Sequence, residues 1–367
     1  MSKQLKIIIS GGGTGGHIYP AVSIANALQQ KVENIEILFV GAEGRMEMEK
    51  VPAAGYKIVG LPVVGLQRRL TLKNLLLPFK LYKSLKLAGK IIKNFNPDVV
   101  VGVGGYASGP ILRKASKMGI PTLIQEQNSY AGITNKLLAK KAAKICVAYE
   151  NMEQFFPKEK IMLTGNPVRQ DLNNIKALKG EALNFFELNT TKKTILVLGG
   201  SLGARTLNNT ITNDFEKIEQ SEYQLLWQTG KNYGETAKQL VIDKASKSIK
   251  AYDFIYRMDY AYAAADIVIS RAGAGTISEL CVVGKPNILV PSPNVAEDHQ
   301  TKNAQALVNK NAALMVTDND ASSKLIDTAF DLINNDRKIE ELSNNISKLA
   351  LPDAANIIAD EVLKLIK

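Results

Sequence analysis

The sequence predicts an α/β chain built from two doubly wound domains, and three features carry that prediction. Short runs rich in Val and Ile alternate with helical patterns, and the runs are continuously apolar, as in strands buried on both faces of a parallel sheet. A glycine-rich turn, GGGTGG at 11–16, follows the first run directly. The same opening of strand, glycine turn and helix then recurs near mid-chain as TILVLGGSLGA, so both halves are expected to be Rossmann-like. A length of 367 residues suits two domains of ordinary size.

In the first half the expected strands are Leu5–Ser10, Ile35–Val40, Val99–Val103, Thr122–Gln125 and Lys144–Ala148, with helical patterns at Ala21–Gln30 and Leu81–Asn94. The segment Pro157–Arg169 (PKEKIMLTGNPVR) breaks any periodicity, which sets a first domain over residues 1–163 and a second over 164–350. In the second half, strands are expected at Thr194–Leu198 and near Tyr223–Gln228, Asp266–Ser270 and Pro286–Pro291. The final segment, 351–367, contains Pro352 and then an amphipathic helix with Ile358, Val362, Leu365 and Ile366 on one face.

Composition narrows the function classes. Hydrophobic content of 46% and charged content of 22% are those of a soluble globular protein. No apolar run approaches the ~18 residues of a membrane span, and the N-terminus lacks the features of a secretory signal. Cys146 and Cys281 are solitary, as expected of core thiols in a reducing compartment. The net charge of +11 is lopsided: residues 1–163 hold 23 Lys and Arg against 10 Asp and Glu, so the excess lies wholly in the first half. Such asymmetry implies an anionic partner for that half.

The candidate sites are the turns that follow strands. In Gly11–Gly16, glycines let the backbone approach a phosphate, and the helix behind offers unpaired N–H groups and the positive end of its dipole. The spacing formally fits a dinucleotide fingerprint, with Glu43 as the ribose acid. However, His17, one of only two histidines in the chain, has no role in that reading. Gly104 and Gly105 open a second glycine turn, GGYASGP, and Gln125–Asn128 place a carboxylate and three amides at the same expected sheet rim. In the second half, Gly199–Ala204 and Ser270–Glu279 repeat the phosphate-cradle pattern, and Arg169 offers a fork of donors for a diphosphate. Two glycine-turn domains suit two substrates better than one cofactor. No metal-ligand cluster is visible and no cofactor is called for; Asp318-Asn319-Asp320 reads as capping before the helix at Ala321–Asn334.

No Asp or Glu occurs between Val51 and Pro97, where Lys80, Lys83, Lys86, Lys90 and Lys93 alternate with an apolar arc of Leu81, Leu85, Ala88, Ile91 and Ile92. Together with Leu75, Leu76 and Phe79 this predicts docking on an anionic membrane surface. Nucleic acid is not expected, because no aromatic or arginine-rich pattern accompanies the charge.

GGGTGGH, GVGGYASGP, QEQNSYAGITNK, GNPVR, GGSLGAR and SRAGAGTISE occur in this order along the chain. In these motifs the chain resembles the bacterial UDP-N-acetylglucosamine–N-acetylmuramyl-(pentapeptide) pyrophosphoryl-undecaprenol N-acetylglucosamine transferases of glycosyltransferase family 28. The resemblance implies a GT-B fold, two Rossmann-like domains around a cleft, with the C-terminal helix crossing back to the first. It implies inverting transfer of N-acetylglucosamine from UDP-N-acetylglucosamine to lipid I, undecaprenyl-diphospho-muramoyl-pentapeptide, by a peripheral protein on the cytoplasmic face of the inner membrane. It further implies that Thr14, Gly15, Gly16 and Asn128 approach the donor sugar, and that Arg169 and Ser201 contact UDP. Ile255 would meet uracil through its backbone. Ala274, Gly275 and Thr276 would line the diphosphate, Ile277 and Ser278 would continue that turn, Glu279 would hold the ribose, and Gln300 the sugar hydroxyls. Family members often carry two glutamines at that last position, where this chain has His299-Gln300. Gly12, Gly13, Gly104 and Gly105 would hold the acceptor diphosphate, flanked by Tyr106 and Glu126. His17 is then the expected base for the attacking hydroxyl, with Glu126 its rival. A glycolipid synthase, a nicotinamide-dependent oxidoreductase and a non-catalytic nucleotide-sugar binder remain the alternatives.

Overall fold

The structure, a computed structural model, describes residues 4–63, 77–172 and 175–366. The chain divides into two compact units, Met1–Val168 with Pro352–Lys367, and Arg169–Leu351. The first holds a sheet of seven strands: β1 (Leu5–Ser10), β2 (Ile35–Ala42), β3 (Lys57–Leu61), β4 (Val99–Gly102), β5 (Thr122–Glu126), β6 (Lys144–Val147) and β7 (Ile161–Leu163). All neighbours are parallel, in the order β3-β2-β1-β4-β5-β6-β7. The second holds β8 (Thr194–Leu198), β9 (Gln224–Gln228), β10 (Ile249–Tyr252), β11 (Ile267–Ser270), β12 (Asn287–Leu289) and β13 (Leu314–Met315). Its order, β10-β9-β8-β11-β12-β13, repeats the first six places of the other sheet, again all parallel.

The continuous apolar runs are explained by helices on both faces. Ile7 and Ile9 pack with Ile18, Leu28, Ile358 and Val362 on one side of the sheet, while Ile8 packs with Ala88, Ile92 and Ile111 on the other. All three isoleucines are fully buried, so truncating any one to Ala would cost roughly 2–5 kcal/mol. In each sheet the order reverses beside the first strand, between β1 and β4 and between β8 and β11. Loops leaving the carboxyl ends of those strands part in opposite directions and open a crevice, where such sheets bind ligands. The glycine turns of the sequence are these loops.

Three elements differ from expectation. The stretch read as aperiodic contains β7, after which Thr164 and Gly165 both donate N–H groups to Val147 O. These bonds keep the chain in the first unit as far as Val168, five residues beyond the expected boundary at 163. The helix behind the first glycine turn begins at Gly15 rather than Ala21 and runs to Lys31. The lysine-rich helix runs from Leu77 to Phe95; Ala88, Ile91 and Ile92 are buried, but Leu81, expected on the same face, is 47% exposed. Leu75 and Leu76 lie outside the described residues, and Phe79 falls within the first turn of this helix.

The last helix, Ala354–Lys364, buries Ala355, Ile358, Ala359 and Val362 in the core of the first unit against the Gly15–Lys31 helix. Lys31–Asp360 and Lys144–Glu361 ion pairs flank it. No helix of the described residues is long and apolar enough to cross a membrane.

Candidate functional site

At the switch point of the first sheet, the turn after β1 meets the turn after β4. Gly104 and Gly105 both take left-handed backbone, with φ of 92° and 85°. A Cβ on Gly105 would stand 2.5 Å from Gly12 O, and one on Gly104 would stand 2.8 Å from His17 Nε2. Only glycine permits both the torsion and the approach. His17 lies in the first turn of the helix, with its Nδ1 3.0 Å from Gly12 O and 3.3 Å from Thr14 Oγ1. Thr14, Gly13 and Gly16 are exposed at the mouth of the turn.

The inner side of this turn is held by a residue that sequence reading missed. Glu47, fully buried, accepts the N–H groups of Gly13 and Ala42, each at 2.9 Å. The Gly13 N–H therefore points inward and is not offered to a diphosphate, contrary to expectation. Glu43, the acid expected on a ribose, is exposed, and its N–H pairs with Leu61 O.

The rim after β5 is more inward-looking than expected. Gln125, Glu126 and Gln127 are buried. Gln127 Nε2 donates to Val103 O and to Gln125 Oε1, Gln125 Nε2 donates to Asn166 Oδ1, and Asn166 Nδ2 returns to Gln127 O. Glu126 accepts from Asn128 N and Nδ2, Gly132 N and Asn135 Nδ2, at 2.8–3.2 Å. Four donors on one buried carboxylate hold the loop 127–132 in shape. They also occupy the lone pairs that a general base would use. The Asn128 amide, expected on the donor sugar, is one of these donors.

Beside Tyr106, which is 55% exposed, a groove of about 810 Å³ opens between the helices Leu77–Phe95, Ser108–Lys117 and Ile133–Ala139. Leu81, Leu85 and Leu137 are among the apolar residues of its wall, and Lys80, Arg113 and Lys140 among the cations. No Asp or Glu lines it among the described residues. Lys83, Lys86 and Lys90 are exposed but lie off the groove.

In the second unit the turns after β8 and β11 occupy the corresponding switch point. Ser201 is exposed in the first of them. The second leads into the helix Ala274–Val283, where Ile277 N, bonded to Gly273 O, is the first intrahelical donor. The N–H groups of Ala274, Gly275 and Thr276 precede it at the positive end of the dipole. Ile277 is buried in the core and so presents no side chain to a ligand, while the half-buried Ser278 donates its Oγ–H to Ala274 O.

Glu279 sits one turn in. Arg169 Nε lies 3.3 Å from its Oε1, and the hydroxyl of fully buried Tyr262 donates to its Oε2 at 2.9 Å. Burial raises the Glu279 carboxyl above its ordinary range, opposed by Arg169 and the Tyr262 hydroxyl. The Ile255 N–H is held by Gln228 Oε1 at 3.0 Å, and Gln300 Oε1 accepts the Ser292 N–H at 2.8 Å. His299 Nε2 lies 3.3 Å from Glu297, which has left-handed backbone as does Asp298.

Asp318 and Asp320 do not cap the following helix through their side chains. Asp318 holds Arg271 Nη1 and Thr206 Oγ1, tying the turns after β8 and β11 together, and Asp320 accepts from Thr317 Oγ1. Tyr262 lies outside every motif of the sequence, whereas Arg271 lies inside SRAGAGTISE. No group of three or more potential metal ligands occurs among the described residues.

Residues 7–147 match the family model described as the glycosyltransferase family 28 N-terminal domain, and residues 194–358 match that of its C-terminal domain. The chain belongs to glycosyltransferase family 28. Within this family it is 61% identical to a Phocaeicola vulgatus protein over all of this chain and 97% of the relative. It is 59% identical to one from Parabacteroides distasonis, over 99% of each. Both relatives are named UDP-N-acetylglucosamine–N-acetylmuramyl-(pentapeptide) pyrophosphoryl-undecaprenol N-acetylglucosamine transferase. The crystal structure of Acinetobacter baumannii MurG superposes with a TM-score of 0.79 at 29% identity, over 98% of this chain and 99% of that one. A UDP-GlcNAc 2-epimerase from Neisseria meningitidis shares the fold at a TM-score of 0.67 and 16% identity, over 98% of this chain and all of the other. The family 28 assignment makes the fold GT-B, and both halves of the GT-B pattern are present as parallel sheets.

Proposed function

We propose that this chain performs the inverting transfer of N-acetylglucosamine from UDP-N-acetylglucosamine to the 4-hydroxyl of the muramyl sugar of lipid I, giving lipid II and UDP in peptidoglycan synthesis. The observation that carries the reading is identity near 60%, over essentially the whole chain, to relatives of that name.

The donor is assigned to the second unit. Arg169 and the N-terminus of the helix Ala274–Val283 bring positive charge to a diphosphate, and Glu279 suits the two ribose hydroxyls as a half-buried acceptor. Ser201 and Gln300 line the donor, and uracil meets the backbone at Ile255 on its carbonyl side, since Gln228 holds its N–H. The acceptor is assigned to the first unit, with its diphosphate at the Gly12 and Gly104–Gly105 turns and its polyprenyl chain along the groove beside Tyr106. That groove, apolar in its walls and basic at its edge, also suits the surface of an anionic membrane and supports a peripheral position there, on the cytoplasmic face where the donor is found.

In the reaction, His17 Nε2 takes the proton of the 4-hydroxyl as its oxygen forms the new bond to the anomeric carbon. The bond from that carbon to the UDP oxygen breaks on the opposite face, and the electron pair leaves with UDP. Arg169 and the helix N-terminus stabilise the departing diphosphate. Glu126 shapes the loop that it holds.

The test is sugar transfer from labelled UDP-N-acetylglucosamine to a short-chain lipid I analogue. Wild type forms product. In His17→Ala, kcat falls by about 10²–10⁴-fold while UDP affinity is unchanged. Absence of product from folded, UDP-binding wild type refutes the acceptor assignment, and near wild-type turnover of His17→Ala refutes the base.

A further inference from the structure

We infer that Glu47 is a positioning residue for His17, acting through the one peptide group that joins Gly12 to Gly13. The inference rests on the reading of His17 as the base.

Glu47 opens the helix Glu47–Ala53, which follows β2. Its two oxygens accept backbone N–H groups, Oε2 from Gly13 and Oε1 from Ala42. Both therefore act as acceptors, as a carboxylate's do. The seat is shaped for it: a Cβ on Gly12 would stand 2.1 Å from Oε1, and one on Gly41 2.6 Å from Cγ. The two glycines, one in the turn after β1 and one near the end of β2, leave the space that this one carboxylate fills.

A trans peptide group is planar, and its C=O and N–H point in opposite directions. With the Gly13 N–H turned to Glu47, the Gly12 C=O of the same group must face the other way, and there it meets His17 Nδ1 at 3.0 Å. A carbonyl accepts and cannot donate, so Nδ1 carries the proton in the neutral ring and Nε2 carries the lone pair. Nε2 is the atom on the Gly104 side, toward the turn assigned to the acceptor.

Flanked by two glycines, this peptide group is free to turn over at little steric cost. Turned over, it would aim the carbonyl at the Glu47 carboxylate and an N–H at His17 Nδ1. Nδ1 would then accept, and the proton would move to Nε2, the tautomer unable to take a proton there. Glu47 opposes that flip by rewarding one orientation with a charge-assisted hydrogen bond and opposing the other by repulsion. Glu47 thus sets the tautomer of a histidine that it does not touch.

The experiment labels the histidines with ¹⁵N and reads their tautomers by NMR in wild type, Glu47→Gln and His17→Ala, the last identifying the His17 signals against those of His299. A glutamine satisfies one of the two N–H groups and turns its own NH₂ on the other. In wild type the neutral His17 ring should be protonated at Nδ1. In Glu47→Gln the Nε2–H form should appear, with kcat down tenfold or more, KM for UDP-N-acetylglucosamine within twofold, and Glu47→Asp partly restored. Wild-type His17 protonated at Nε2 overturns the inference, whether or not any variant folds. So does Glu47→Gln with an unshifted tautomer. If His17→Ala keeps wild-type turnover, the base reading fails separately, while the tautomer measurement still decides whether Glu47 sets the ring.

Discussion

On the proposed reading Glu279 accepts the ribose hydroxyls as a carboxylate, and burial and two neighbours act on its charge in opposite directions. Burial raises its carboxyl, while Arg169 and the Tyr262 hydroxyl oppose the rise. Removing the hydroxyl in Tyr262→Phe takes away one hydrogen bond that opposes burial, so the carboxyl rises further. The carboxylate is lost as pH falls through a raised value, so UDP binding in the variant should begin to fail at higher pH than in wild type. The measurement is UDP affinity by calorimetry across pH 5–8; coincident curves would show that Tyr262 has no part in donor binding. The contrast with Glu126 is instructive. Both glutamates lie in polar motifs, but Glu126 is buried and spends its oxygens on four donors from the loop and helix that follow it, whereas Glu279 is half-buried. Sequence alone could not separate them, because the partners come from Asn135 in one case and from Arg169 and Tyr262 in the other. Glu47 was hidden for a related reason. It is one of three glutamates in AEGRMEMEK, and nothing local distinguishes the one that faces Gly12 and Gly41.

At the scale of elements, periodicity located what is long and doubly buried, and missed what is short or at an edge. β1 and β8 were legible to the residue because every position in their central run is apolar. β3 (KIVGL), β7 (IML) and β10 (IKAY) lie at sheet edges and are partly exposed; β3 and β10 mix in Lys, and β7 is only three residues long. The glycine turns were legible because approach and torsion both demand glycine, and that demand is written locally. The lysine-rich helix was legible as an amphipathic helix, but not which of its cations border a groove: only folding brings Lys80 beside Arg113, Lys140 and Lys141. Each cation near an anionic surface contributes ~1 kcal/mol. Reversing these four to Glu should therefore weaken binding to phosphatidylglycerol vesicles by at least about 10²-fold. Reversing Lys83, Lys86 and Lys90, which lie off the groove, should weaken it less. Vesicle sedimentation of the two variants decides the matter, and equal losses would remove the groove from the docking surface.

At the scale of the whole molecule, the chain closes its first unit with its last described helix. Ile358 and Val362 are fully buried against the β1 layer, and burial of each is worth about 1.5–3 kcal/mol. Deleting residues 352–367 should lower the melting transition of the first unit by several degrees or abolish it, and leave that of the second in place. Differential scanning calorimetry resolves the two; an unchanged profile would mean the helix adds no stability.

That closing helix also sets an order of synthesis. A ribosome completes all of Arg169–Leu351 before it makes the segment that fills the gap over the Gly15–Lys31 helix. Although it holds the earlier residues of the chain, the first unit is the later of the two to be finished. Until then the nascent chain exposes an apolar strip along that helix, the kind of surface that folding helpers cover.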